Sequence, residues 1–124
     1  MTLSPSHISQ IGIPVRDLDR AKRFYGESLG LAHLFDAPPG LAFFQCGQTR
    51  LMLSENEASE ADSKVILYYA VPDARAAQDA LAATGAAFDE DARRIARVGD
   101  KDVWLAVTRD GEGNYVGLMS EQDA

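Results

Sequence analysis

The chain has 124 residues, 46% of them apolar and 25% charged, and a formal net charge of −7. That length suits a single domain with a real core, and the acidic balance excludes the basic face of a nucleic-acid binder and the basic patch of a protein docked on anionic lipid. The single cysteine, Cys46, excludes an intrachain disulfide and a paired-cysteine zinc site.

The first six residues read as a loose leader. Residues 9–15 alternate, with Ile11, Ile13 and Val15 on one face of a half-buried strand. Pro14 cannot donate to a ladder, which puts it at an edge or near the strand end. Asp17 is placed to cap a helix. Leu18, Ala21, Phe24, Tyr25 and Leu29 follow at helical spacing, and Gly30 ends the run. Strands are predicted over 31–35, 41–46 and 49–54, divided by turns at 37–40 and 47–48. Residues 55–63 are polar and acidic and read as a solvated linker.

A second series then begins. Residues 65–71 form a strand and Asp73 caps a helix with Ala74, Ala77 and Leu81 inside and Gly85 at its end. Strands are predicted over 86–88, 94–98, 103–108 and 115–119, with turns at 99–102 and 110–114. Val71 stands 56 residues after Val15, as Asp73 does after Asp17, so the chain contains an internal repeat. Each copy is a strand, a helix and further strands. A single copy leaves one sheet face exposed, so two copies can join around a cavity. The start of the chain lacks a basic segment and an apolar core, and no apolar run approaches the ~18 residues of a membrane span. A cytoplasmic protein without a membrane partner is expected.

Val15-x-Asp17-Leu18, Phe24-Tyr25, Leu29-Gly30-Leu31, Val71-x-Asp73 with Gly85, and Asp110-x-x-Gly113-Asn114 fall in one order across nearly the whole chain. In this the sequence resembles the vicinal oxygen chelate superfamily, the group of glyoxalase I, bleomycin-resistance proteins and extradiol dioxygenases. The resemblance implies an α+β fold. Two βαβββ modules, at about 7–54 and 64–120 of one domain spanning 1–124, are expected to form a curved mixed sheet around a cavity. It also implies a homodimer. In metal-using members four positions supply ligands, and they fall here at Gln10, Met52, Ile66 and Gly117. Only Gln10 offers a hard oxygen; Met52 is a soft thioether, and the other two offer no side-chain donor. No catalytic metal and no cofactor are therefore expected.

Alternation assigns the pocket side. Leu51, Leu53, Val65, Leu67, Tyr69, Val116 and Leu118 are expected under the helices. Arg50, Met52, Tyr68, Tyr115, Gly117 and Met119 then face the open side. In the strand at 103–108, Val103, Leu105 and Val107 are expected under the helix and Trp104 on the open face. The strand at 41–46 is apolar on both faces and leaves Phe43 and Phe44 undecided. Gln10, Arg50, Met52, Tyr68, Trp104 and Tyr115 are the candidate ligand-binding residues. An aromatic lining with few polar handles suits a small apolar or aromatic ligand. His7, His33 and Cys46 read as surface or structural residues. The leading expectation is a metal-free binding protein of the glyoxalase and bleomycin-resistance type. The alternatives are a metal-dependent lyase, isomerase or dioxygenase of that superfamily, and a structural module.

Overall fold

The computed structural model describes residues 3–55 and 65–123. It divides into two compact units, Met1–Ala61 and Asp62–Ala124. The first contains β1 (Gln10–Val15), α1 (Leu18–Lys22), a π-helical continuation (Arg23–Ser28), β2 (Ala32–Ala37), β3 (Leu41–Cys46) and β4 (Thr49–Glu55). The second contains β5 (Leu67–Ala70), α2 (Ala74–Ala82), β6 (Phe88–Val98), β7 (Lys101–Arg109) and β8 (Tyr115–Asp123). Each unit is thus a βαβββ module with a four-stranded mixed sheet. The strand orders are β1-β4-β3-β2 and β5-β8-β7-β6. The first strand of each module runs parallel to its last, and the other pairs are antiparallel.

The repeat is visible in the helix caps. Asp17 accepts from the Arg20 N–H at 3.1 Å, and Asp73 accepts from those of Arg75 and Ala76 at 2.9 and 3.3 Å. Both satisfy donors that the first helical turn leaves free. Glu55 adds a second cap, accepting from the Leu18 N–H at 2.9 Å. It therefore belongs to β4 and not to the expected linker; the rest of that linker lies outside the described residues.

In the first module the wide turn at Arg23–Ser28 carries a hydrogen bond from the Leu29 N–H to the Phe24 carbonyl at 2.7 Å. Helical spacing of apolar residues does not distinguish such a turn from a regular one. Gly26 lets the backbone close on the sheet, since a Cβ there would sit 3.1 Å from the Phe44 ring. Ala21 and Tyr25 are buried against Ile13, Val15, Ala42, Phe44, Leu51 and Leu53, the core of this module. Burying a side chain the size of Leu contributes roughly 1.5–3 kcal/mol. In the second module Ala74 and Leu81 are buried, together with Tyr69, Ala106, Val116 and Leu118. Ser120 joins this helix-side face through its hydroxyl, which accepts from the Ala74 N–H at 2.9 Å.

The strands expected at 86–88 and 94–98 are replaced by one strand, β6, from Phe88 to Val98, whose pairing with β7 shifts register three times. Those bulges fall where DEDARR carries no alternation that would mark a strand. The loop before β8 is held by buried Asp110. Its carboxylate accepts from the backbone N–H groups of Glu112 and Asn114 and from the Asn114 side-chain amide, at 2.7, 3.1 and 2.8 Å.

The modules also differ at one paired position. Gly12 pairs with Met52 in the first, and Tyr68 with Gly117 in the second. The large side chain comes from the last strand in one case and the first strand in the other. A Cβ on Gly117 would land on the Tyr68 ring. Gly117→Ala is expected to destabilise the protein by about 1–3 kcal/mol through overpacking. Combining it with Tyr68→Ala should remove most of that penalty. Urea unfolding of the two single variants and the double variant checks this; purely additive effects would refute the contact.

The Asp73 carboxyl is held below its usual range, chiefly by the Ala76 backbone N–H, with the Arg75 N–H adding to it. Its folded value therefore lies below its unfolded value of about 3.9. The stabilisation is complete above the unfolded value and is lost as pH falls through the folded one. Asp73→Asn caps without a charge, so its melting temperature should fall less steeply than that of the wild type on acidification below about pH 4. Parallel acid limbs in the two proteins would contradict this.

Candidate functional site

The open face of the first sheet is the one turned away from α1. Register decides its members. Gln10 pairs with Arg50 and Gly12 with Met52, Phe43 pairs with Met52 and Gln45 with Arg50, and Phe35 pairs with Phe43. Paired residues in adjacent strands share a face. This settles the choice in β3: Phe44 lies under the helix and Phe43 on the open face.

These side chains form a connected group. Arg50 Nε donates to Gln10 Oε1 at 2.9 Å, and Gln10 Nε2 approaches the Met52 sulfur at 3.7 Å. The Arg50 guanidinium carbon stands 5.5 Å from the Phe43 ring centroid. Phe35 stacks on Phe43 with centroids 4.5 Å apart and an interplanar angle of 23°. Phe43 is 9% exposed and Phe35 47% exposed, so the stack has a supported inner ring and a free outer one. Gln10, Arg50 and Met52 were expected on this face. Phe35 was not, because the irregular register between His33 and Phe35 breaks the alternation that would have placed it.

In the second module Tyr68, Tyr115, Gly117 and Met119 share the face turned away from α2. The Tyr115 hydroxyl accepts from Arg109 at 2.7 Å, and the Arg109 guanidinium carbon lies 4.3 Å from the Tyr115 ring centroid. Arg109 Nε also donates to Asp89 at 2.8 Å, so this cation is already matched by a carboxylate.

Trp104 is a correction. It pairs with Ser120, which bonds to the N-terminus of α2, and it carries Arg75 of α2 over its ring at 4.1 Å. Trp104 is therefore on the helix side. Val103, Leu105 and Val107 are on the opposite face, with Tyr68 and Gly117. Both faces of β7 are apolar, so alternation within the strand could not choose between them; its register with β8 does.

The remaining candidates are readily placed. His7 is exposed and within 2.9 Å of the Ser6 hydroxyl, and Cys46 is half-buried at the end of β3. His33 pairs with Asp36 at 2.7 Å and meets Phe44 edge-on with centroids 5.2 Å apart. Lys22 binds the same carboxylate at 2.6 Å. Lys22 first and His33 second hold the Asp36 carboxyl below its usual range. A groove of about 450 Å³ opens beside this cluster, lined by Lys22, Arg23, Gly26, Leu31 and Phe44 among others. It lies on the helical side of the first module.

The four positions that the resemblance assigns to metal ligands do not fit a metal ion. The Gln10 oxygen is engaged by Arg50, and a guanidinium beside it opposes a second cation. Met52 presents a soft sulfur to the Gln10 amide. Ile66 has no donor, and the Gly117 position is covered by the Tyr68 ring. Among the described residues, no three His, Cys, Asp or Glu side chains gather to hold an ion.

The comparisons with known proteins agree with the module architecture. Among curated proteins, none matches the sequence. Solved structures of the same fold include a lactoylglutathione lyase from Agrobacterium tumefaciens, 23% identical over 94% of this chain and 95% of that one, with a TM-score of 0.76. A glyoxalase-related enzyme from Fulvimarina pelagi is 20% identical over 94% and 88% of the two chains, with a TM-score of 0.75. A glyoxalase/bleomycin resistance protein/dioxygenase superfamily member from Sphaerobacter thermophilus is 21% identical over 96% and 100%, with a TM-score of 0.73. At these identities the likeness is one of fold. Among the described residues no helix is long and apolar enough to cross a membrane. The family model for the Glyoxalase/Bleomycin resistance protein/Dioxygenase superfamily matches residues 7–118, and the chain belongs to that superfamily.

Proposed function

We propose that this protein binds a small, mostly apolar or aromatic molecule on the open sheet face of its first module, without a catalytic metal. The observation that carries the reading is the Phe35–Phe43 stack beside Arg50, Gln10 and Met52. An exposed ring backed by a buried one offers a planar partner a rigid surface with little side-chain entropy left to lose. Met52 adds a polarizable, adaptable wall. On the second module, Tyr68 and Tyr115 present aromatic surface on the corresponding face and are proposed to contribute in the same way.

Metal chemistry of the lyase, isomerase or dioxygenase kind finds little support in the donors at positions 10, 52, 66 and 117. We also propose a homodimer, since within each sheet the first and second strands of the module are edge strands that a further strand could extend. A monomer mass by light scattering at micromolar concentration would reject the dimer.

Calorimetric titration with the neutral probe 2-naphthamide tests the binding reading. Saturable binding is expected. Phe35→Ala removes an exposed ring and should weaken it by about 1 kcal/mol with little change in melting temperature. No saturable binding, or an unchanged affinity in Phe35→Ala, would reject the site.

Metal content gives a separate check. Protein purified without chelator should carry far less than one equivalent of zinc, nickel, iron or manganese, and EDTA should leave 2-naphthamide binding unchanged. Stoichiometric metal would favour the enzymatic reading.

A further inference from the structure

We infer that the ligand carries a carboxylate, which is received by Arg50, and that the preferred class is planar aromatic carboxylates. The inference rests on the proposed binding face and specifies its chemistry. Of the side chains in register on the open face of the first sheet, Arg50 alone is charged. Among the described residues of that sheet no Asp or Glu shares the face, although the chain holds 19 acidic residues against 12 basic ones. In the second module the corresponding face places Arg109 against Asp89, as an ordinary ion pair. On the first module's face no described carboxylate stands against Arg50.

Arg50 is also held ready. Its Nε is engaged by Gln10 Oε1 at 2.9 Å, and its guanidinium carbon stands 5.5 Å from the Phe43 ring centroid. Gln10 is itself held by its contact with Met52 at 3.7 Å. One edge of the guanidinium is thus satisfied by a neutral acceptor, which orients the group without cancelling its charge. The two Nη groups remain as a fork whose geometry matches a carboxylate. A carboxylate on that fork puts the ring attached to it beside Phe43 and Phe35, which stack at 4.5 Å. Charge, fork and aromatic surface together favour one molecule with a planar ring and an attached carboxylate. An aliphatic acid would leave the stack unused, and a neutral aromatic would leave Arg50 unmatched.

The test compares 2-naphthoate with 2-naphthamide, which share the ring system and differ in charge. Wild-type protein should bind naphthoate about tenfold or more tighter than the amide, as expected for a charge-assisted pair. Raising the salt concentration should weaken the naphthoate complex and leave the amide complex unchanged. Arg50→Gln should erase the preference by weakening naphthoate about tenfold while the amide changes less than about twofold. Arg50→Lys should restore only part of it, since an ammonium supplies a point charge and no fork. The ligand comparison and the salt series use the wild-type chain, so they stand even if a variant folds poorly. Equal affinity for both ligands, or naphthoate binding unchanged in Arg50→Gln, overturns the inference and leaves the binding face intact. Failure of both ligands to bind overturns the inference and the face together.

Discussion

The parallel pairing of the first and last strands of each module is the constraint on which the rest depends. β1 lies against β4 from Gln10–Arg50 to Val15–Glu55, and β5 lies against β8 from Leu67–Val116 to Ala70–Met119. A slip of one residue would turn every side chain of a strand to the other face. The hydrophobic helix sides of β1 and β4 prevent that slip, because Ile13, Val15, Leu51 and Leu53 must all stay buried together. Gln10, Arg50 and Met52 then meet on the opposite face as a consequence of core packing. The helix caps reinforce the same register, since Glu55 reaches Leu18 only when β4 ends beside the start of α1.

The repeat preserves the scaffold while the face it presents has diverged. Gly12 with Met52 and Tyr68 with Gly117 fill equivalent space from opposite strands. The same exchange affects charge. In the first module the cation is on β4, and it is held by a neutral amide. In the second, Arg109 on β7 is held by a carboxylate and a tyrosine. Of the positions that the resemblance assigns to metal ligands, Gly117 is covered by the Tyr68 ring and Gln10 is engaged by Arg50.

The fold was legible in the sequence because its signals are redundant. Two capping aspartates, two helix-ending glycines and several alternating strands all indicate one architecture. The face of each candidate residue was legible only where one face of a strand is clearly apolar. Gln10, Arg50 and Met52 lie in strands of that kind, and Tyr68 and Tyr115 also fell on the expected face. β3 and β7 are apolar on both faces, so the side that Phe43 and Trp104 occupy is decided by pairing with neighbours and not by their own pattern. Phe35 was hidden for a different reason, since a register irregularity interrupts the period of two on which strand reading relies.

The position of Trp104 matters for how this protein is watched. It is the only tryptophan, and its ring is overlaid by Arg75 of α2 at 4.1 Å. Its emission therefore responds to the docking of α2 on its sheet and has no counterpart in the first module. Circular dichroism, in contrast, averages the backbone of both units. Melting curves from the two signals would coincide if the halves of the chain unfold as one cooperative body and separate if each half is its own thermodynamic unit. A single indole on the helix side of its sheet is well placed to report whether the duplicated chain behaves as one protein or two.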